Sequence, residues 1–248
     1  MQFEFDFFNE KAHYQSVEKL YDLYIEQLKM NKQFGTIDSY KTSISSLKKY
    51  KSFLKFEDIT PEFLQGFENW MLSRGKSITT VGIYLGTLRA VINLGKAKGI
   101  LNENIYPFGR RKYVLPTGLN VKKALDIQQV KQIFDYEVTE GIGMERARDF
   151  WIFSYLCNGM NMMDIGQLKQ RDVHAKYITF KREKTKRATR GNPVIITVIR
   201  NPYIDDIIRK WGTKTLDRDE YLFGIVDKSD QEEVVRKKIK QFTDVTND

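Results

Sequence analysis

The chain has 248 residues and carries 41 Lys+Arg against 32 Asp+Glu, a formal charge of +9. With 41% hydrophobic and 29% charged residues, 5 Pro and 16 Gly, it is neither a disordered nor a collagen-like chain, and no apolar run approaches the ~18–20 residues of a membrane span. A single cysteine, Cys157, excludes a disulfide framework, and two histidines, His13 and His174, leave little for a zinc site or a histidine-based triad.

The acidic-aromatic start, Met-Gln-Phe-Glu-Phe-Asp-Phe-Phe, lacks the basic and apolar regions of a signal peptide. From Tyr14 to Asn31 the apolar residues Val17, Leu20, Tyr21, Tyr24 and Leu28 recur at helical spacing. Gly35-Thr36 breaks that pattern. A second helix follows, with Tyr40, Ile44, Leu47 and Leu54 inward. Thr60-Pro61-Glu62 predicts a third start: a hydroxyl cap, Pro at the first helical position and an acid beside the positive end of the dipole. Phe63, Leu64, Phe67, Trp70 and Met71 line that helix, and Arg74-Gly75 ends it. Ser77–Thr80 opens a fourth, with Val81, Leu85, Leu88 and Ile92 inward. Four amphipathic helices with short joints can bury a core as a bundle.

Residues 102–123 hold Pro107, Gly109, Arg110, Arg111, Lys112, Pro116 and Gly118 without periodicity, and predict a basic linker. It divides a helical domain at 1–101 from a second domain at 124–248. The second opens at Asp126-Ile-Gln-Gln129, a capping-box pattern. Helices are expected at Gln128–Tyr136, Met144–Leu156 and Met162–Lys169. The period then changes to two: Tyr177–Arg182 and Val194–Ile199 predict paired strands around a basic loop. Helices at Ile204–Trp211 and Glu232–Gln241 finish the chain. The fold class is therefore mainly α with a small β-hairpin (α+β).

The charge is concentrated. Lys176, Lys181, Arg182, Lys184, Lys186, Arg187, Arg190 and Arg200 face one acid, Glu183, so the stretch 176–200 carries +7. A hairpin of this kind suits phosphates, which Lys and Arg neutralise with release of counterions. Thr36, Ser39, Ser77, Thr79 and Thr80 add hydroxyls near helix starts, where phosphate can bind, although ordinary capping accounts for each one singly.

The order of these pieces resembles the tyrosine recombinases, the phage-integrase family, in their mobile-element branch. Thr36-Ile-Asp-Ser-Tyr40 and Ser77-Ile-Thr-Thr80-Val-Gly-Ile-Tyr84-Leu-Gly-Thr-Leu-Arg89 resemble the family's core-binding domain, a four-helix SAM-like unit that clamps DNA. Asn104-Ile-Tyr-Pro107-Phe108 resembles the exit from it. Ala124–Phe134 resembles the opening of the catalytic domain, Tyr155–Leu168 its first catalytic box, Ile178–Thr185 the hairpin with the catalytic lysine, and Glu220–Phe223 a later segment.

The resemblance implies DNA cleavage and rejoining through a 3′-phosphotyrosine, with no metal or other cofactor. It implies Lys184 as the general acid for the leaving 5′-oxygen and Asp164 as a supporting residue. Asn161 stands where the family has its first arginine. Arg146, Arg148, Arg187 and Arg190 are open as substitutes. It further implies DNA contacts from Thr36, Tyr40, Ser77, Thr79, Thr80, Tyr84, Arg89, Arg110, Arg111, Lys112, Lys181, Arg182, Lys186, Arg187 and Arg190. No histidine follows His174, so the sequence contains no His-x-x-Arg box, and no tyrosine stands at the nucleophile's place. The expectation is a C-terminally truncated recombinase that binds double-stranded DNA without cutting it. The alternative is a natural inactive relative that acts as a DNA-binding regulator. The chain is expected in the bacterial cytoplasm with the nucleoid, away from membranes. It should be monomeric in free solution, with self-association on DNA reserved for the full-length protein.

Overall fold

Ser16 starts the first helix, α1 (Val17–Met30): its hydroxyl accepts the Lys19 N–H at 3.2 Å, satisfying a donor that every helix start leaves open. This computed structural model describes residues 16–102, 106–118, 124–184, 191–192 and 194–247. The chain divides into two units, Met1–Lys122 and Lys123–Asp248, each described by itself.

In the first unit α1 is followed by α2 (Phe34–Tyr50), α3 (Pro61–Ser73) and α4 (Ile78–Ala97). The start signals read from sequence work as expected. Thr60 accepts the Phe63 N–H with Pro61 behind it, and Ser77 accepts the Thr80 N–H, both at 3.2 Å. Gly35 and Thr36 do not break a helix; they lie in the first turn of α2. That helix stops at Tyr50, so Leu54 reaches the core from the segment beyond it, beside Phe56 of a 3-10 turn (Phe56–Asp58). Tyr21, Leu20, Leu47, Phe67, Met71, Leu85, Leu88 and Ile92 are fully buried. Burying each such side chain contributes about 1.5–3 kcal/mol. Within this core the Tyr21 hydroxyl meets Ser43 at 3.1 Å and Thr87 at 3.0 Å, and Ser43 and Thr87 both donate to the Tyr84 carbonyl. Burial pushes the Tyr21 hydroxyl well above the usual phenol range, so it stays neutral and hydrogen-bonded.

Two expectations for this unit change. At 20 residues, α4 is long and apolar enough to cross a membrane by length and composition; its apolar residues Val81, Leu85, Leu88, Val91 and Ile92 instead lie in the unit's own core. The stretch expected as a linker is, in its described part, packed on the helices. Phe108 and Tyr113 are each 5% exposed, the Tyr113 hydroxyl donates to Glu68, and Gly118 lies so close to Thr79 that a side chain there would overlap its hydroxyl. Apolar residues spaced irregularly between Pro and Gly carry no periodicity, which is why this docking was not legible.

The second unit opens with α5 (Ile127–Asp135). Asp126 and Gln129 cap it reciprocally, at 2.8 and 3.0 Å. Next come α6 (Ile142–Leu156) and the short α7 (Met162–Gly166). The latter was expected to run to Lys169. It stops because the following residues pair with a later segment: Leu222 N–H donates to the Leu168 carbonyl at 2.7 Å, and Gln170 N–H to Glu220 at 2.9 Å. A 3-10 turn (Gln170–Asp172) leads to the antiparallel strands β1 (Tyr177–Lys181) and β2 (Ile195–Ile199), in register from Tyr177–Ile199 to Lys181–Ile195. Helices α8 (Pro202–Trp211) and α9 (Glu232–Asn247) complete the unit. Phe150, Phe153, Ile165, Ile178, Val198, Ile204 and Leu222 form its core.

Candidate nucleic-acid interface

Period two places Ile178 and Phe180 on the inner face of β1, and both are buried. Arg182, one step beyond the strand, continues that parity. Its guanidinium reaches the Gly159 carbonyl, at 3.4 Å, in the turn before α7. Glu183 and Lys184 follow in a turn, and Lys184 is exposed.

The turn is anchored from below. Asp164, buried at 6% exposure, accepts the Glu183 N–H at 2.8 Å. Burial raises its pKa; the Glu183 N–H, the Arg182 charge and the Asn161 N–H pull the other way without cancelling it. Asn161 caps α7, its side-chain oxygen accepting the Met163 N–H at 2.7 Å. The structure therefore brings Asn161, Asp164, Arg182 and the Lys184 turn together. The Asn161 side chain is thus spent on a helix cap.

The four substitutes named from sequence fare differently. Arg148 is held by Asp149 at 2.8 Å and by the Tyr136 carbonyl at 2.6 Å. Arg146 lies over the Phe242 ring, 5.1 Å from its centroid. Both are committed to packing. Arg187 and Arg190 lie outside the described residues, as does Lys186. Arg182 is the arginine that points to the Asn161 turn, and period-two parity was the signal for it. Arg200, counted with the hairpin charge, is tied at 2.7 Å to both Asp205 and the His174 carbonyl. Lys176 and Lys181 are exposed.

A second charged cluster supports this unit. Asp149, 5% exposed on α6, accepts from Lys210 at 2.7 Å, Trp211 Nε1 at 2.8 Å and Arg148. Burial opposes its charge, but the Lys210, Trp211 and Arg148 hydrogen bonds outweigh it and hold the carboxyl below the usual range. Lys210 also pairs with Glu145 at 2.5 Å. The cluster joins α6 to α8.

In the first unit, Thr36, Ser77, Arg89, Arg110, Arg111 and Lys112 are exposed, and Lys112 donates to the Tyr106 carbonyl at 2.5 Å. Thr80 shares its hydroxyl with Ser77, at 2.9 Å. Thr79 is partly covered by the Gly118 segment, and Tyr84 is half-buried against the core. Tyr40 is packed in the core of the unit. It is 6% exposed, with its ring stacked on Tyr24 at 4.7 Å. It sits at helical spacing with Ile37 and Leu47, and that apolar stripe overrides the motif match. Among the described residues no cluster of His, Cys, Asp and Glu could hold a metal ion.

Residues 16–114 match the phage integrase SAM-like domain family. Over 94–95% of its length the chain has a fold similar to that of solved integrases. It is similar to lambda integrase in a tetramer bound to a Holliday junction, with 14% identity and a TM-score of 0.60 over 95% of this chain and 67% of that one. A lambda integrase dimer bound to a COC′ core site aligns at 14% identity and a TM-score of 0.61, over 94% of this chain and 79% of that one. The Tn1549 transposon integrase with a circular-intermediate DNA aligns at 11% identity and a TM-score of 0.56, over 94% and 91%. The chain spans about two thirds of the lambda integrase chain in the tetramer. No curated protein sequence matches it. The tyrosine-recombinase resemblance read from the motifs therefore holds at the level of domain and fold.

Proposed function

We propose that this chain is the DNA-binding portion of a site-specific tyrosine recombinase, and that it binds duplex DNA without cleaving it. The anchored hairpin turn carries the reading: a buried carboxylate holds the backbone beside an exposed lysine, at the place where the family protonates the leaving 5′-oxygen. In the cleaving recombinase Lys184 would be the general acid, a role worth ~10²–10⁴-fold in such reactions. Asp164 holds the turn that presents it. Arg182 is the candidate for the charge that Asn161 does not supply, since a fixed guanidinium beside the phosphate stabilises charge that builds on its oxygens. Arg89, Arg110, Arg111, Ser77 and Lys181 contact the phosphate backbone, which fixes register and adds salt-dependent affinity. Free in solution the chain is a monomer.

The test is binding of a fluorescent duplex followed by anisotropy, with a denaturing gel of the same mixture. Saturable duplex binding without a covalent protein–DNA adduct is expected. Failure to bind rejects the DNA reading, and an adduct rejects the claim that the chain lacks a nucleophile.

A further inference from the structure

The geometry points to Gly166 and Ile239 as a positioning pair for the hairpin turn, a role that rests on the reading of Lys184 given above. Gly166 is the last residue of α7. A Cβ placed on it would lie 2.8 Å from Ile239 Cγ1 and 2.9 Å from Cδ1, closer than real Cβ atoms approach. Ile239 is 1% exposed, so its side chain has no open space to yield into. Helix α9 thus approaches α7 at a distance that only glycine permits.

This contact matters because α7 has five residues. A single turn has no stability of its own, and packing must fix its direction. Its outer support is the cluster of Val226, Val235 and Ile239, with Met163 packed against it. Two residues before Gly166 stands Asp164, whose carboxylate holds the Glu183 N–H at 2.8 Å. The line Ile239, Gly166, Asp164, Glu183 therefore runs from the last helix to the residue before Lys184. A shift of α7 away from α9 displaces the acceptor on which the turn hangs. Both residues act through Asp164; neither touches DNA.

The test uses the whole chain in five forms: wild type, Gly166→Ala, Ile239→Ala, the Gly166→Ala/Ile239→Ala double variant, and Val130→Ala. Val130 is a buried residue of α5 and serves as the control for plain destabilisation. Two quantities are read: amide exchange at Glu183, and acetylation of Lys184 with and without duplex DNA. Gly166→Ala should speed Glu183 exchange on the order of tenfold, beyond Val130→Ala at a matched loss of melting temperature. The double variant, which makes room for the new Cβ, should recover most of it. DNA should shield Lys184 in the wild type and the double variant, and less in Gly166→Ala. Should Gly166→Ala fail to fold, Ile239→Ala loosens the same contact and carries the same expectation. Equal Glu183 exchange in the Val130→Ala control and in the variants of the pair overturns the positioning role. Lys184 unshielded by DNA even in the wild type overturns the DNA reading of the hairpin instead, while the exchange data still decide the brace.

Discussion

Asp164 Oδ1 accepts the Glu183 N–H at 2.8 Å, so a buried carboxylate of α7 holds the peptide that precedes Lys184. The bond couples a five-residue helix to the end of β1. It gives the Asp164 carboxylate a mechanical task.

That task separates two substitutions. Asp164→Asn keeps an oxygen acceptor for the Glu183 N–H, whereas Asp164→Ala leaves the donor unsatisfied, at a cost of about 1–3 kcal/mol. The pKa of Asp164 is raised in the fold, chiefly by burial. A raised folded pKa adds stability below the ordinary carboxylate value of about 4, and that stability is lost as pH rises through the folded value. At neutral pH the charged carboxyl therefore stabilises the fold least, and Asp164→Asn should be within about 1 kcal/mol of wild type or above it. Urea unfolding at neutral pH measures both. An Ala variant as stable as the Asn variant would show that the hydrogen bond contributes little.

Asp149 behaves in the opposite sense. Its pKa is depressed by Lys210, Trp211 and Arg148 against the effect of burial. Its stabilisation is present above the ordinary carboxylate pKa and is lost as pH falls through the folded value. The second unit should lose stability as pH falls below the ordinary carboxylate pKa, and Asp149→Asn should flatten that loss. Asp149→Ala removes the acceptor of the Trp211 N–H and leaves Lys210 with Glu145 as its remaining carboxylate. Lys210 keeps some solvent, so the expected cost is nearer about 2 kcal/mol than the about 3–5 of a fully buried pair. Denaturant midpoints at acid pH, followed by tryptophan fluorescence, decide it; identical acid profiles for wild type and Asp149→Asn would refute the assignment.

The interface and the core make different demands on the first unit. Tyr40 is buried and stacked on Tyr24, so Tyr40→Phe should leave DNA affinity within about twofold. Replacing both Arg110 and Arg111, which are exposed, by Ala should weaken binding and reduce the salt slope by about 2. Anisotropy titrations of the two variants side by side test this. A large affinity loss in Tyr40→Phe with a normal Arg110→Ala/Arg111→Ala double variant would invert the account.

What could be read in advance follows physical lines. Helix starts were legible because Ser77, Thr60 and Asp126 cap by local chemistry that a few residues specify. The strands were legible because period two survives in Tyr177–Lys181. The early end of α7 was not, since it depends on pairing between Leu168 and Leu222, 54 positions apart. Packing of Phe108 and Tyr113 on the helices escaped for the same reason. At the site, Lys184 and Asp164 were found through motif likeness, which carries residue types but no bonds. Tyr40 shows the cost of that: its motif match named a contact, while its helical spacing with Leu47 named a core residue, and burial followed the spacing.

The central claim is that the positive charge of the chain serves duplex DNA through the anchored hairpin. The most direct measurement is the affinity for duplex across a range of salt concentrations, for wild type and for Lys181→Ala/Lys184→Ala. The account predicts a steep negative slope of log K against log salt in the wild type, reduced by about 2 in the double variant. A flat wild-type slope, or one that the variant leaves unchanged, would contradict it.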